Sequence, residues 1–177
     1  MPQIGRTILA AAAIAVAFSS VDAHAQSLRD AEIVAIYAQV NGFDIETALL
    51  GQSRAASAKV RALAHHVAAD HLVVRQGVHR LAQECGVQPL LPAARNPAAA
   101  EHDNVMIALS GKSGPDFDRA FLSHEAAFHR SAIDAVKTLL LPQTTCPQLQ
   151  AYLRNFLPAF EQHLAETVKL ARELGAQ

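Results

Sequence analysis

The chain has 177 residues and a net charge of −1, its fifteen basic and sixteen acidic side chains interspersed. That balance offers no basic face for nucleic acid or anionic lipid, and the sequence points to no nucleic-acid partner. Alanine and leucine dominate and tryptophan is absent, the composition of a helical bundle rather than a sandwich or barrel.

In chain order, Met1–Arg6 is short and basic, Ile8–Phe18 is an alanine-rich apolar run, and Ala23-His24-Ala25 fits an A-x-A cleavage site. These are the marks of a secretory signal peptide cut after Ala25, with a mature protein beginning at Gln26 in the periplasm or secreted. No cysteine follows the run, so no lipid anchor is expected. Residues 26–177 have the length of one domain, with no further stretch long enough to cross a membrane.

Four long helices and one long connection are predicted. The first runs from about Leu28 to Ala55, with Ile33, Ile36, Tyr37, Val40, Phe43, Thr47 and Leu50 at three- and four-residue steps. The second is capped by Ser57, runs to about Cys85 and stops at Gly86. Its face is Val60, Leu63, Ala64, Val67, His71, Val74, Val78 and Leu81, and the short turn makes the pair an antiparallel hairpin. Residues 86–115 hold Pro89, Pro92, Pro97, Gly111, Gly114 and Pro115, with a short helix around Glu101–Leu109. A connection this long is expected where a bundle crosses from one end to the other, as ferritin-like folds do. The third helix begins at Pro115-Asp116 and ends by Leu141-Pro142, with Phe117, Phe121, Leu122, Phe128, Ile133, Val136, Leu139 and Leu140 on its bulky face. The fourth starts at Pro147 and runs to about Leu174, its seam Leu149, Leu153, Phe156, Phe160, His163, Thr167, Leu170 and Leu174. Pro158 inside it should free the carbonyl of Arg154. The expected fold is all-α: a ferritin-like four-helix bundle of two antiparallel hairpins joined by a long crossover.

On a helical wheel each helix brings an ionisable group onto its apolar face. Asp44 lies on the first, His71 on the second with Asp70 beside it, Glu125 and His129 on the third, and His163 on the fourth. His65, His66, His79, His124, Glu46 and Glu161 fall off these faces. At ~1.5 Å rise per residue the groups also sit at similar heights. Three histidines and one or two carboxylates converging mid-bundle suit zinc, iron, manganese or copper, with Asp70 orienting an imidazole from behind. The competing interpretation is a polar layer that only hydrogen-bonds and fixes the register. The pattern departs from the di-iron bundle, which uses Glu-x-x-His on two helices. Here Glu125 and His129 are spaced E-x-x-x-H, so a mononuclear or purely structural site is expected over oxidase chemistry. No nucleophile motif, phosphate loop or C-x-x-C occurs.

The stretches Val60–His71 (VRALAHHVAADH), Leu109–Phe121 (LSGKSGPDFDRAF) and Leu157–Leu164 (LPAFEQHL) resemble a family of exported bacterial proteins. It is catalogued as domain of unknown function 4142, often labelled predicted outer membrane protein, and placed with the ferritin-like folds. The resemblance covers about Asp30 to Leu174, and its motif positions fall on Asp70, His71, Phe117, Asp118, His129, Leu157, Pro158 and His163. Where the family commonly has glutamate on the first helix, this chain has Asp44. The outer-membrane label gets no support from the sequence, which has no alternating β-strand segments.

Export places Cys85 and Cys146 in an oxidising compartment. A crossover puts them at one end of the bundle, where they can bond; an up-down-up-down order puts them at opposite ends. The function expected from these readings is a non-enzymatic metal-handling or stress-related periplasmic protein. The alternative is a structural or partner-binding bundle without metal. The sequence assigns neither a protein partner nor an oligomeric state.

Overall fold

The computed structural model describes residues 28–175, so the predicted signal peptide at 1–25 lies outside the described residues. α1 (Asp30–Arg54) and α2 (Ala58–Glu84) form one antiparallel hairpin. α4 (Gly114–Ala135) continues through a π turn (Val136–Leu140) and the short α5 (Leu141–Gln143), and forms the second hairpin with α6 (Pro147–Glu173). Between them α3 (Asn96–Ser110) crosses from one end of the bundle to the other, after a 3-10 turn at Ala93–Arg95. The fold is an all-helical four-helix bundle, and no described helix is long and apolar enough to cross a membrane.

Helix ends follow local chemistry. Gly86, at φ +62°, closes α2. Its N–H donates to the Gln83 carbonyl, and the Val87 N–H donates to that of Ala82, a Schellman motif that the left-handed glycine permits. Ser57 holds the N-cap position of α2 but makes no side-chain capping bond. The buried Asp118 of α4 instead holds the turn before it, accepting the N–H groups of Ala56 and Ser57 at 2.8 Å each. At the other end Asp30 of α1 accepts the N–H of Thr145 at 2.9 Å and of Cys146 at 2.8 Å. Each hairpin turn is thus pinned by a carboxylate from the other hairpin. Asp118→Ala is expected to lower unfolding stability by about 2–3 kcal/mol, because two charge-assisted bonds are lost and two turn amides stranded. Guanidinium unfolding at neutral pH would measure it, and a change below half a kcal/mol would show that water serves those amides equally well.

Three expectations are corrected. The crossover helix is longer than Glu101–Leu109, because Pro97 sits in the first turn of α3 and starts it at Asn96. α3 buries only His102 and Leu109. It runs alongside α1, tied by Arg95 Nε to Gln39, His102 to Glu46 and Arg54 to the Lys112 carbonyl. The third long helix does not stop at Pro142. Proline has no N–H for the preceding turn, and the chain widens before it into the π turn, where the Leu141 N–H donates to the Val136 carbonyl. The wider turn shifts the face, so Leu139 is 42% exposed while Val136 and Leu140 stay in the core. α1 is buried on more than the predicted stripe, adding Val34, Ile45 and Ala48, because α2, α3 and α4 all pack against it.

The interior is two apolar clusters. One gathers Ile33, Tyr37, Val74, Val78, Ile133, Leu149, Leu153 and Phe160. The other gathers Ala48, Val60, Val67, Phe117, Phe121, Leu122 and Leu170. Gly51 allows the α1–α4 approach there, since a Cβ would meet the Phe121 ring at 2.5 Å. Between the clusters every long helix buries polar side chains: Asn41, Asp44 and Thr47 on α1, His71 on α2, Glu125 and His129 on α4, and His163 and Thr167 on α6. Cys85 and Cys146 are disulfide-bonded at the Asp30 end, with Cα atoms 5.8 Å apart.

Candidate metal centre

The polar layer brings together all five residues singled out from the sequence. Asp44, Glu125, His129 and His163 are each 1% exposed and His71 is 3% exposed. One ligand atom each from His71, His129 and His163 lies within 4.8 Å of the others, and the same holds for Asp44, Glu125 and His129. The three imidazoles form a near-equilateral triangle, with centroids 5.5, 5.4 and 5.4 Å apart. Phe160 stacks on His71 at 4.6 Å and fixes that ring.

The outward hydrogen bonds define which nitrogen of each ring faces inward. Asn41 Nδ2 donates to the Tyr37 carbonyl at 2.7 Å, which turns its Oδ1 toward His71 Nδ1 at 2.9 Å. That nitrogen is therefore the donor, and Nε2 keeps the lone pair. His129 Nδ1 donates to the Glu125 main-chain carbonyl at 3.0 Å, again leaving Nε2. His163 Nε2 donates to Asp70 Oδ2 at 3.0 Å, leaving Nδ1. Those three remaining nitrogens, with both oxygens of Asp44 and of Glu125, have no hydrogen-bond partner among the described residues.

His71 Nε2 and His129 Nε2 lie 3.0 and 3.4 Å from Asp44 Oδ2. These are pairing distances without hydrogen-bond alignment, so the donors point past one another toward a shared space. Donors bound to one ion at about 2.1 Å stand roughly 3.0 Å apart at right angles and roughly 3.4 Å apart at the tetrahedral angle. Burial raises the Asp44 carboxyl above its ordinary value, partly offset by His129. Burial and then the adjacent Asp44 charge push Glu125 well above the carboxylate range. Burial, reinforced by His163, pushes His71 down to about 3, and burial lowers His129. Neutral imidazole is the form that binds metal, and a divalent cation would neutralise the two carboxylates.

The donors are imidazole and carboxylate, with no thiolate or thioether, a set suited to zinc, iron, manganese or copper(II) rather than copper(I). Asp70 stands behind His163 as expected. Asn41, the corresponding support of His71, was missed. It sits at i+4 from Tyr37 and i−3 from Asp44, and that mid-helix polar spacing was the available signal. Asn41→Ala is expected to weaken metal affinity by about 10–100-fold, the usual effect of removing an orienting partner. Competition against a chromophoric chelator would read it, and unchanged affinity would show that Phe160 alone orients His71. His65 and His79 are exposed as predicted. His66 is also exposed, but its ring abuts His163 at 5.3 Å.

A comparison with curated proteins finds no match. Among solved structures the chain is similar to a Streptomyces coelicolor protein described as "putative secreted protein DUF305". Sequence identity is 15% and the TM-score 0.70, over 82% of this chain and 93% of that one, which establishes a common fold. A family-level match runs through the first hairpin, the crossover and nearly all of the second, over residues 16–170. The chain belongs to the family described as Domain of unknown function (DUF4142).

Proposed function

We propose that the protein is an exported metal-binding bundle, holding one divalent first-row transition metal through His71, His129, His163, Asp44 and Glu125. The observation that carries this is the arrangement of the three imidazoles. Each is tethered by one nitrogen and leaves the other unpartnered, and His129 joins this triad to a second one that it forms with the buried Asp44 and Glu125. Burying five such groups without partners costs several kcal/mol, which a bound cation recovers. Ligand exposures of 1–3% leave little room for a substrate, which favours metal handling over catalysis, since catalytic sites keep an open position. The N-terminal signal-peptide pattern and the description of the similar Streptomyces coelicolor protein as secreted support export to the periplasm after cleavage near Ala25.

The test is metal analysis of untagged, exported protein, followed by thermal unfolding with and without a chelator. About one equivalent of zinc, iron, manganese or copper is expected. At metal a thousandfold above Kd the added stability is ~4 kcal/mol, roughly 10 °C in Tm for a domain of this size. No stoichiometric metal, and no shift on adding any of the four, would overturn the proposal and leave a hydrogen-bonded structural layer.

A further inference from the structure

The ligands of the centre are almost fully enclosed, which raises the question of how a hydrated cation arrives. His163 faces both ways. Its Nδ1 looks into the centre, and its Nε2 meets Asp70 Oδ2 at 3.0 Å. The same Asp70 oxygen lies 3.2 Å from His66 Nε2, and His66 Nδ1 lies 3.6 Å from Glu166 Oε2. Ligand atoms of His66, Asp70 and His163 fall within 4.8 Å of one another. Unlike the inner set, these outer side chains are open to water: 45% for His66, 38% for Asp70 and 42% for Glu166. A groove of about 420 Å³ between α2 and α6, lined by Lys59, Leu63, His66, Glu166, Lys169 and Glu173 among others, includes two of them, His66 and Glu166.

Resting on the metal-centre reading above, we infer that His66, Asp70 and Glu166 form an outer docking position for a divalent transition metal, from which the ion passes by way of His163 to the buried centre. Both ring nitrogens of His66 face carboxylates. The ring lies 3.2 Å from Asp70 Oδ2 and 3.6 Å from Glu166 Oε2, so an imidazole nitrogen and two carboxylates converge at the wet edge of α2 and α6. Two carboxylates and an imidazole on a wet groove bind a hydrated first-row ion weakly enough to release it. The inner set has three imidazoles in a dry interior and binds it more tightly, so transfer runs inward. His163 stands between the two positions: its Nε2–H holds Asp70, and its Nδ1 lone pair belongs to the centre.

The experiment follows Co2+ uptake by the chelator-stripped full mature chain, in a stopped-flow absorbance measurement of the ligand-field bands. With limiting Co2+, His66→Ala and Glu166→Gln are expected to load about tenfold more slowly than the wild type. Both should reach the same final spectrum and stoichiometry. His79→Ala, which removes an exposed histidine elsewhere on α2, should load at the wild-type rate. Wild-type rates in both His66 and Glu166 variants would overturn the docking position, as would equal slowing by His79→Ala. A changed final spectrum in the His66 variant would place that residue in the centre itself and overturn a separate outer position. If the wild type takes up no Co2+ at all, the centre fails and the outer position with it.

Discussion

Glu125→Gln is expected to move the stripped and the metal-loaded protein in opposite directions. In the stripped protein Glu125 and Asp44 face each other at 1% exposure with no partner for any of their oxygens. An amide of the same shape removes one potential charge from that pair, and stability should rise by about 1–2 kcal/mol. In the loaded protein the same change removes an anionic donor. A hundredfold loss of affinity corresponds to about 2.8 kcal/mol, so most of the metal-dependent rise in Tm disappears. Calorimetry with chelator and with saturating zinc measures both arms. A variant that is less stable when stripped, yet keeps the full zinc-dependent shift, would exclude Glu125 from the ligand set. A layer that only hydrogen-bonds predicts no zinc-dependent shift in either protein.

Replacing Cys85 and Cys146 with serine should cost about 4 kcal/mol, by the chain-entropy relation for a closure spanning 61 residues. At roughly 2–4 °C per kcal/mol for a chain of this length, Tm falls by about 8–16 °C. Metal stoichiometry should not change, because the bond sits at the Asp30 end while the ligands lie mid-bundle. Guanidinium unfolding of the oxidised and serine forms would measure the difference. Coincident midpoints would show that Asp30 and the Asp118 contacts already hold the two hairpins together. A loss of metal in the serine form would instead show that the bond sets the register of the ligands.

The bundle was legible because its signals are local. The seam of α6 keeps four–three spacing from Leu149 to Leu170, and all but Phe156 along that stretch are buried. Gly86 and Pro147 mark ends that backbone chemistry dictates. Placement of Asp44, His71, Glu125, His129 and His163 was also readable, since a charged group on an apolar stripe has nowhere else to point. What failed depended on contacts distant in sequence or on a local break in helix geometry. Ser57 fits every local rule for a cap, yet its side chain makes no capping bond, and its own N–H is taken by Asp118, sixty-one residues away. Leu139 was assigned to the core by a constant 100° step, which the π turn before Pro142 interrupts. His66 is off the apolar face of its own helix, and nothing in α2 reveals that α6 brings His163 against it.

The ligand set is divided between the hairpins: Asp44 and His71 belong to α1 and α2, whereas Glu125, His129 and His163 belong to α4 and α6. A nascent chain emerging from its N-terminus therefore has no complete set of these residues until α6 has appeared as far as His163. The first hairpin alone offers one imidazole and one carboxylate, too few to retain an ion against a competing chelator. On the proposed metal-binding reading, capture of the ion would be the closing event of folding.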